Sequence, residues 1–259
     1  MDNDKTDSLL DLTEPPAFEL INEIGHSDLV LVCDHASNLV PRKLLGLGLS
    51  QAQLDDHIGW DPGSALVARF LSSHLDAPLL LSSYSRLVID CNRAPDMSDS
   101  IPEQSGGVDI PGNRNLSAAE RAMRRRELFD PYQQAIGHLL DGRRQRKTIL
   151  MSIHSFTPSL RGLHRPWSIG VCFGRDARLA DLLLPELKMR VSGEVGRNQP
   201  YSITDEGDYT IPVQAEARGI PSVMLEIRQD EIRTEEQAHA WGKLIADCWL
   251  EVQSNQGHS

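Results

Sequence analysis

Short apolar runs alternate with amphipathic segments along most of the chain. The apolar runs have the length of β-strands and cover residues 29–33, 79–81, 86–90, 148–153, 168–173 and 221–227. The segments between them carry helical spacing or helix-capping residues and cover residues 50–57, 61–75, 117–140, 176–191, 209–218 and 235–252. Strands that alternate with helices predict an α/β fold, here a three-layer αβα sandwich with a mixed, mainly parallel sheet.

A terminal arm and two irregular segments fall outside this alternation. Residues 1–16 are polar and acidic and end in two prolines, which predicts a loose N-terminal arm. No internal repeat or linker follows, so residues 17–259 are predicted to form a single α/β domain. Residues 94–115 form a long loop, and loops of that length are usually functional or mobile. Residues 193–201 are predicted to be irregular.

Polar side chains stand at or near the ends of four of the predicted strands. They include His35, Asn92, Arg93, His154 and Glu226. Ligands of open α/β sheets bind beside the carboxyl ends of the strands, because loops of variable chemistry meet there. We therefore expect these side chains to share one site.

Two of them, His35 and His154, are candidate metal ligands. Two imidazoles and one carboxylate are a usual protein ligand set for catalytic zinc. Asp61 is the candidate carboxylate, although its place at a helix start suits an N-cap equally well. His57 and Asn38 are alternative third ligands, and spacing does not choose between them. The pattern predicts a site for zinc or another divalent metal.

Glu226 interrupts an apolar run and is the candidate general base. Burial of a carboxylate raises its pKa toward neutrality, which suits proton transfer near pH 7. The alternative is an ion pair between Glu226 and Arg228, two residues further on.

Arg86, Asn92 and Arg93 are the candidate substrate-binding residues. A guanidinium offers a rigid fork of N–H donors that matches a carboxylate. Arg86 and Arg93 would lie at opposite ends of a straight strand over residues 86–90, so both reach one substrate only if the chain bends. The alternative for Arg86 is an ordinary surface ion pair.

The charge balance narrows the classes of partner. With 26 Lys and Arg against 37 Asp and Glu, the formal net charge is −11. An acidic surface argues against nucleic acid and anionic membranes as partners, but a local arginine cluster can still bind a small anion.

The four cysteines form no CxxC motif, which predicts buried free thiols in a reducing compartment. With no secretory signal and no long apolar run, the predicted location is the cytoplasm.

Taken together in order, five motifs resemble those of the N-formylglutamate amidohydrolase family. They are Cys33-Asp34-His35-Ala36-Ser37-Asn38 with Pro41, Trp60-Asp61-Pro62-Gly63, Ser85-Arg86 through Asn92-Arg93, His154-Ser155-Phe156-Thr157-Pro158 and Leu225-Glu226-Ile227-Arg228-Gln229-Asp230. The family resembles the zinc carboxypeptidases and the acyl-aspartate and succinyl-glutamate hydrolases. The resemblance implies a carboxypeptidase-like fold with zinc near His35 and His154.

The same resemblance assigns roles to the remaining candidates. Asn38 stands where the relatives have a glutamate ligand, so Asp61 becomes the expected third ligand. Asn92 and Arg93 match a pair that holds a substrate carboxylate, and Glu226 matches the catalytic glutamate. The activity implied is metal-dependent hydrolysis of an N-acyl amino acid, such as N-formylglutamate, to a carboxylate and the free amino acid.

Departures from the typical family pattern leave alternatives open. The first motif lacks a typical PHSG-like sequence, which places the chain on a divergent branch. The alternatives are a carboxypeptidase-like or longer-acyl amidohydrolase, which a roomier pocket would favour, and a non-catalytic small-molecule-binding relative that has lost the metal.

Overall fold

The computed structural model describes residues 8–256, with Gln256 described by its backbone alone. The described chain forms strands β1 (Phe18–Ile21), β2 (Leu29–Cys33), β3 (Leu79–Ser82), β4 (Gln104–Ser105), β5 (Val108–Asp109), β6 (Ile149–Phe156), β7 (Ser159–Leu160), β8 (Leu163–His164), β9 (Trp167–Cys172), β10 (Glu194–Arg197) and β11 (Ser222–Arg228). Seven of these build the main sheet in the order β1-β3-β2-β6-β11-β9-β10, and β4–β5 and β7–β8 pair as small hairpins.

The pairing of the main sheet is mixed and mainly parallel, as predicted. β2 runs parallel to both β3 and β6, β6 runs parallel to β11, and β9 runs parallel to β10. β1 is antiparallel to β3, and β9 is antiparallel to β11. The central strands β2 and β6 are buried along their whole length, which explains the unbroken apolar sequence of β2. β6 also buries the polar residues Ser152, His154 and Ser155.

Helices cover both faces of this sheet. They are α1 (Gln51–Leu54), α2 (Ser64–Leu75), α3 (Ala118–Arg124), α4 (Asp130–Gly142), α5 (Arg178–Arg190) and α6 (Glu235–Gln256). Because side chains alternate along a strand, Leu29 and Leu31 pack in one core with α2, α5 and α6, whereas Val30 and Val32 pack in another with α4. The predicted three-layer αβα arrangement is therefore confirmed. No helix of the described chain has both the length and the apolar character needed to cross a membrane.

The strand predicted at residues 86–90 is wrong, because this segment forms a turn. Leu87, Val88 and Ile89 are buried in a separate core with residues of the 94–115 loop. Their apolar character thus reports burial under a loop and not membership of the sheet. The turn also brings Arg86 and Asp90 onto one side of the chain, where they form an ion pair at 2.8 Å.

Several other boundaries differ from the prediction. Residues 193–201 are not wholly irregular, because they contain β10, a short strand that pairs with β9 without an apolar run of its own. β1 was not predicted. The long loop holds the β4–β5 hairpin and buries Ile101 and Ile110. Helix α2 begins at Ser64 with Gly63 as its N-cap, so Asp61 lies before the helix.

Part of the predicted N-terminal arm can be compared with the structure. Residues 1–7 of the arm lie outside the described residues. Leu9 is buried, and its N–H donates to Glu127 Oε2 at 2.7 Å. The four cysteines are free and buried, as predicted.

Arg124 joins α3 to the turn at residues 86–90 and to the long loop. Arg124 is 2% exposed, and its guanidinium donates to Val88 O at 3.0 Å, Asn113 Oδ1 at 2.7 Å and Gly112 O at 3.1 Å. Burial lowers the pKa of Arg124 to about 10. The fold therefore depends on neutral acceptors to satisfy a buried cation.

Replacement of Arg124 by Met is expected to lower the free energy of unfolding by about 2–3 kcal/mol, because three acceptors lose their donor while the apolar stem is kept. Urea unfolding measures the difference. Arg126→Met is the matched control, because the Arg126 side chain is 63% exposed. Equal stability of the two variants would contradict the role given to Arg124.

Candidate active site

The three central strands bring the predicted polar residues together at one edge of the sheet. His154 on β6 lies directly beside Glu226 on β11 in the parallel register. β2 is the other neighbour of β6 and ends just before Asp34 and His35. β6 continues two residues beyond His154, so this histidine lies within the strand and not after it.

His35, Asp61 and His154 form a buried cluster. Asp61 Oδ2 lies 2.8 Å from His154 Nδ1 and 3.4 Å from His35 Nδ1. The Ser155 N–H donates to the same oxygen at 3.2 Å. The potential ligand atoms of the three residues all lie within 4.8 Å of one another. One oxygen and two ring nitrogens thus face a common point.

The other ring nitrogen of each histidine is held by a carboxylate. His35 Nε2 lies 2.7 Å from Asp90 Oδ1, and His154 Nε2 lies 3.0 Å from Asp34 Oδ2. Such carboxylate contacts are typical of metal-ligating histidines, because they fix the ring orientation and raise the basicity of the free nitrogen. Both Nδ1 atoms are therefore presented to the common point.

Asp34 is itself held by three hydroxyl groups. Its carboxylate accepts hydrogen bonds from Thr210 Oγ1 at 2.6 Å, Tyr132 OH at 3.1 Å and Ser152 Oγ at 3.1 Å. Burial raises the pKa of Asp34, but contacts with His154 and neighbouring groups outweigh it, and the net direction is downward. Sequence reasoning missed Asp34 as a site residue. Its position directly before His35 was the available signal.

Asp61 reaches the cluster because the chain before α2 is tightly constrained. The Asp61 N–H donates to the carbonyl oxygen of His35 at 3.0 Å. Gly63 has a φ of 84°, and a Cβ at this position would collide with the carbonyl oxygen of Ile232. Glycine adopts this left-handed conformation without a steric penalty. The chain can therefore turn sharply and place the Asp61 carboxylate between the histidines.

The two alternative third ligands lie elsewhere. Asn38 Nδ2 donates to Asp55 Oδ1 at 2.7 Å, and His57 Nδ1 lies 2.8 Å from Asp56 Oδ1. His57 reaches the cavity lining but remains 31% exposed. Among the residues that the structure describes, His35, Asp61 and His154 form the group that could hold a metal ion.

Glu226 combines burial with an unsatisfied oxygen. Its Oε2 atom is buried and has no hydrogen-bond partner. Burial raises the pKa of Glu226 to about 7, against the opposing charge of His154. The alternative ion pair with Arg228 does not form, because Arg228 pairs with Asp230 at 2.8 Å and Glu231 at 2.9 Å. Glu226 is thus free to interact with a molecule in the cavity.

Arg86 faces the histidine cluster. Besides its ion pair with Asp90, Arg86 Nη1 lies 3.4 Å from Asp61 Oδ1. Both aspartates are almost fully buried, so this is not the surface ion pair that the sequence left open. The turn at residues 86–90 is what allows this placement.

Arg93 and Asn92 lie against a segment that sequence reasoning did not single out. Arg93 Nη1 donates to the carbonyl oxygen of Gly207 and lies 3.7 Å from Asp208 Oδ1. Asn92 Oδ1 accepts from the N–H groups of Tyr209 and Thr210, and its Nδ2 donates to Asp208. Asn92 therefore braces the segment that carries Asp208.

These residues line one cavity of about 270 Å³. Its wall also includes Phe156, Thr157, Leu160, Tyr201 and Asp208. Burial raises the pKa of Tyr201, the charge of Glu226 raises it further, and Arg165 opposes both. The phenol therefore lies within electrostatic reach of Glu226. Tyr201 follows no apolar run, so no local pattern indicated its place in the site.

Comparison with known proteins identifies the family. The model of the N-formylglutamate amidohydrolase family matches residues 27–233. The chain belongs to this family. Among curated proteins no match is found.

Two solved structures resemble this N-formylglutamate amidohydrolase family member. A gene product of Agrobacterium tumefaciens is 36% identical, with 96% of this chain and 99% of that chain covered and a TM-score of 0.92. An N-formylglutamate amidohydrolase from Ralstonia eutropha is 21% identical, with 93% and 98% covered and a TM-score of 0.62. The second likeness supports the fold, and the family match supports an amidohydrolase.

The residues present fit a divalent metal ion. Two imidazole nitrogens and a carboxylate oxygen converge, and each imidazole is oriented by a further carboxylate. The unpartnered Glu226 Oε2 is a second observation that points to a bound group in this cavity. A buried acceptor without a partner in the protein needs a donor in the cavity. Nitrogen and oxygen donors of this kind suit zinc and other divalent transition metals.

Proposed function

We propose that this protein is a metal-dependent amidohydrolase that removes the N-formyl group from an amino acid, with N-formylglutamate as the favoured substrate. The observation that carries the proposal is the convergence of His35, Asp61 and His154 in one cavity with the unpartnered carboxylate of Glu226. Family membership supports the amide-cleaving chemistry.

The metal would be held by His35 Nδ1, His154 Nδ1 and Asp61 Oδ2. When bound, a divalent cation polarises a carbonyl oxygen and lowers the pKa of water. Asp34 and Asp90 hold the two rings in place, and the Ser155 N–H holds the Asp61 carboxylate. This support keeps the ligand atoms preorganised for one position.

Glu226 would move the proton. Its carboxylate accepts a proton from the attacking water as the new C–O bond forms at the formyl carbon. The same carboxyl group then donates that proton to the amide nitrogen as the C–N bond breaks, which yields formate and the free amino acid. A pKa of about 7 lets one group act as base and then as acid near neutral pH.

The arginines would orient the substrate. Arg93 lines the cavity and binds the α-carboxylate through N–H groups that remain beside its contact with Gly207. Asn92 keeps the Asp208 segment in place against Arg93. Arg86 also lines the cavity as a second candidate, but Asp61 and Asp90 already pair with it, so Arg93 is the main anchor. Fixed orientation of the scissile amide lowers the barrier because less freedom is lost in the transition state.

The size of the cavity supports a small acyl group. Its volume of about 270 Å³ lies just below the usual range for small-molecule sites, about 300–1,000 Å³. This favours N-formyl over longer N-acyl substrates and over peptides.

The experiment that tests the proposed function combines metal analysis with a substrate panel. Purified protein is analysed for bound metal and assayed with N-formylglutamate, N-acetylglutamate and a peptide with a C-terminal glutamate. We expect bound metal and hydrolysis of N-formylglutamate above the others. Preferred cleavage of the peptide would establish the carboxypeptidase-like alternative. Binding of N-formylglutamate without hydrolysis or metal would establish the non-catalytic one.

Arg93→Lys is expected to lower kcat/KM by about 10- to 100-fold, because lysine keeps the charge but loses the fork that holds the α-carboxylate. Steady-state kinetics with N-formylglutamate measures the loss. Arg228→Lys is the matched control, since Arg228 pairs with Asp230 and Glu231 and does not line the cavity. Unchanged kinetics of the Arg93 variant would remove this residue from the binding site.

A further inference from the structure

Arg165 is a buried cation without a matching anion. Arg165 is 7% exposed, and its Nη1 atom is buried without a hydrogen-bond partner. Among residues 8–256 no carboxylate forms an ion pair with it. Arg124 and Arg143, which are buried to a similar extent, donate to backbone carbonyl oxygens. An uncompensated buried charge is costly, so its presence calls for an explanation.

The surroundings of Arg165 place it directly behind the cavity wall. Its guanidinium carbon lies 4.9 Å from the centre of the Tyr201 ring and 5.7 Å from that of Phe156. Both aromatic residues line the cavity. Stacking on aromatic faces holds the guanidinium plane and stabilises the cation, but Nη1 remains without a hydrogen-bond partner.

A purely structural role does not account for the guanidinium. The backbone N–H of Arg165 donates to Pro158 O at 2.9 Å and closes the β7–β8 hairpin. Any residue other than proline supplies that contact. The charged end is therefore the feature that needs a function, and the cavity next to it lies beside the cluster of His154 and Glu226.

We propose that Arg165 and Tyr201 form a second acid-recognition subsite, which binds a second anionic group of the substrate at a part of the wall separate from Arg93. Tyr201 contacts that group through its hydroxyl, and Arg165 is a positioning residue that fixes the Tyr201 ring and supplies positive charge behind it. Arg86 is less suited to this task because two aspartates already balance its charge. The inference rests on the proposed function and assigns residues of this chain to the distal carboxylate of its substrate.

The test compares two substrates that differ only at the far end of the side chain. N-formylglutamate and N-formylglutamine share the formyl amide and the α-carboxylate, but the second lacks the distal charge. We expect the wild type to prefer N-formylglutamate. Arg165→Met, which keeps an apolar stem, is expected to lower kcat/KM for N-formylglutamate by about 10- to 100-fold and to leave N-formylglutamine unchanged.

Tyr201→Phe is the second variant and keeps the test valid if Arg165→Met does not fold. Tyr201 is 43% exposed, so loss of its hydroxyl leaves the core intact. A selective loss of about 3- to 10-fold on N-formylglutamate is expected. Arg228→Met is the matched control, because Arg228 lies near Pro166 but is already paired with Asp230 and Glu231.

Three results would overturn the subsite. Equal losses on both substrates in the Arg165 and Tyr201 variants would leave these residues a structural role. Equal use of the two substrates by the wild type would show that no distal charge is recognised. Hydrolysis of neither substrate by the wild type would instead overturn the proposed function itself.

Discussion

Glu226→Gln is expected to lower turnover by about 10²- to 10⁴-fold while bound metal and thermal stability stay unchanged. Glutamine keeps the shape of the side chain but can neither accept a proton from water nor return it to the leaving amine. Glu226 is not one of the three clustered residues, so the metal should remain. Substrate should still bind, because Arg93 and Arg165 are untouched.

Metal analysis, a binding measurement with N-formylglutamate and steady-state kinetics together decide this prediction. Glu231→Gln is the matched control, because this carboxylate pairs with Arg228 and does not line the cavity. Loss of metal from the Glu226 variant would make this residue a ligand. Unchanged turnover would return it to a structural role.

His35→Ala and His154→Ala are each expected to abolish both metal retention and hydrolysis. Either change removes one of the three proposed metal ligands and leaves a carboxylate, Asp90 or Asp34, without its ring partner. Dialysis followed by metal analysis measures retention, and the N-formylglutamate assay measures activity. Chelation of the wild type should reproduce the loss, and added zinc should restore it.

The proposed third ligand, Asp61, has a test and a control of its own. Asp61→Asn is expected to weaken metal binding, because a neutral amide replaces the carboxylate between the two rings. His57→Ala is the matched histidine control and should retain the metal, since His57 lies at the rim against Asp56. The reverse outcome would move the third ligand to His57. Full metal content in both the His35 and His154 variants would refute the centre altogether.

Local sequence was sufficient to predict the layers of the fold and the edge at which the site lies. Central strands are buried on both faces and therefore read as apolar runs, which are continuous in β2 and broken in β6 by Ser152, His154 and Ser155. A polar residue at the end of such a run, such as His154 or Glu226, lies either at the edge of the sheet or in the interior. In the interior it needs a binding partner, because burial of an unpaired polar group is costly. The pairing of His154 with Glu226 follows from two parallel neighbouring strands in register.

Apolar character alone did not separate a strand from a buried turn. Residues 86–90 were predicted as a strand, yet Leu87, Val88 and Ile89 fill a second core beneath the long loop. Short apolar runs report burial, and the partner that buries them depends on distant parts of the chain. The contact of Arg86 with Asp61 and Asp90 depends on this turn and was not predicted.

What the sequence by itself determined is therefore the α/β order and the placement of His35, His154 and Glu226 at one edge of the sheet. Only the tertiary structure decided that Asp61, and not His57 or Asn38, lies between the histidines. That outcome depends on the left-handed turn at Gly63 against Ile232, a contact across most of the chain. Spacing along a sequence reports local geometry, whereas a metal centre is built from residues that only long-range packing brings within a few ångströms.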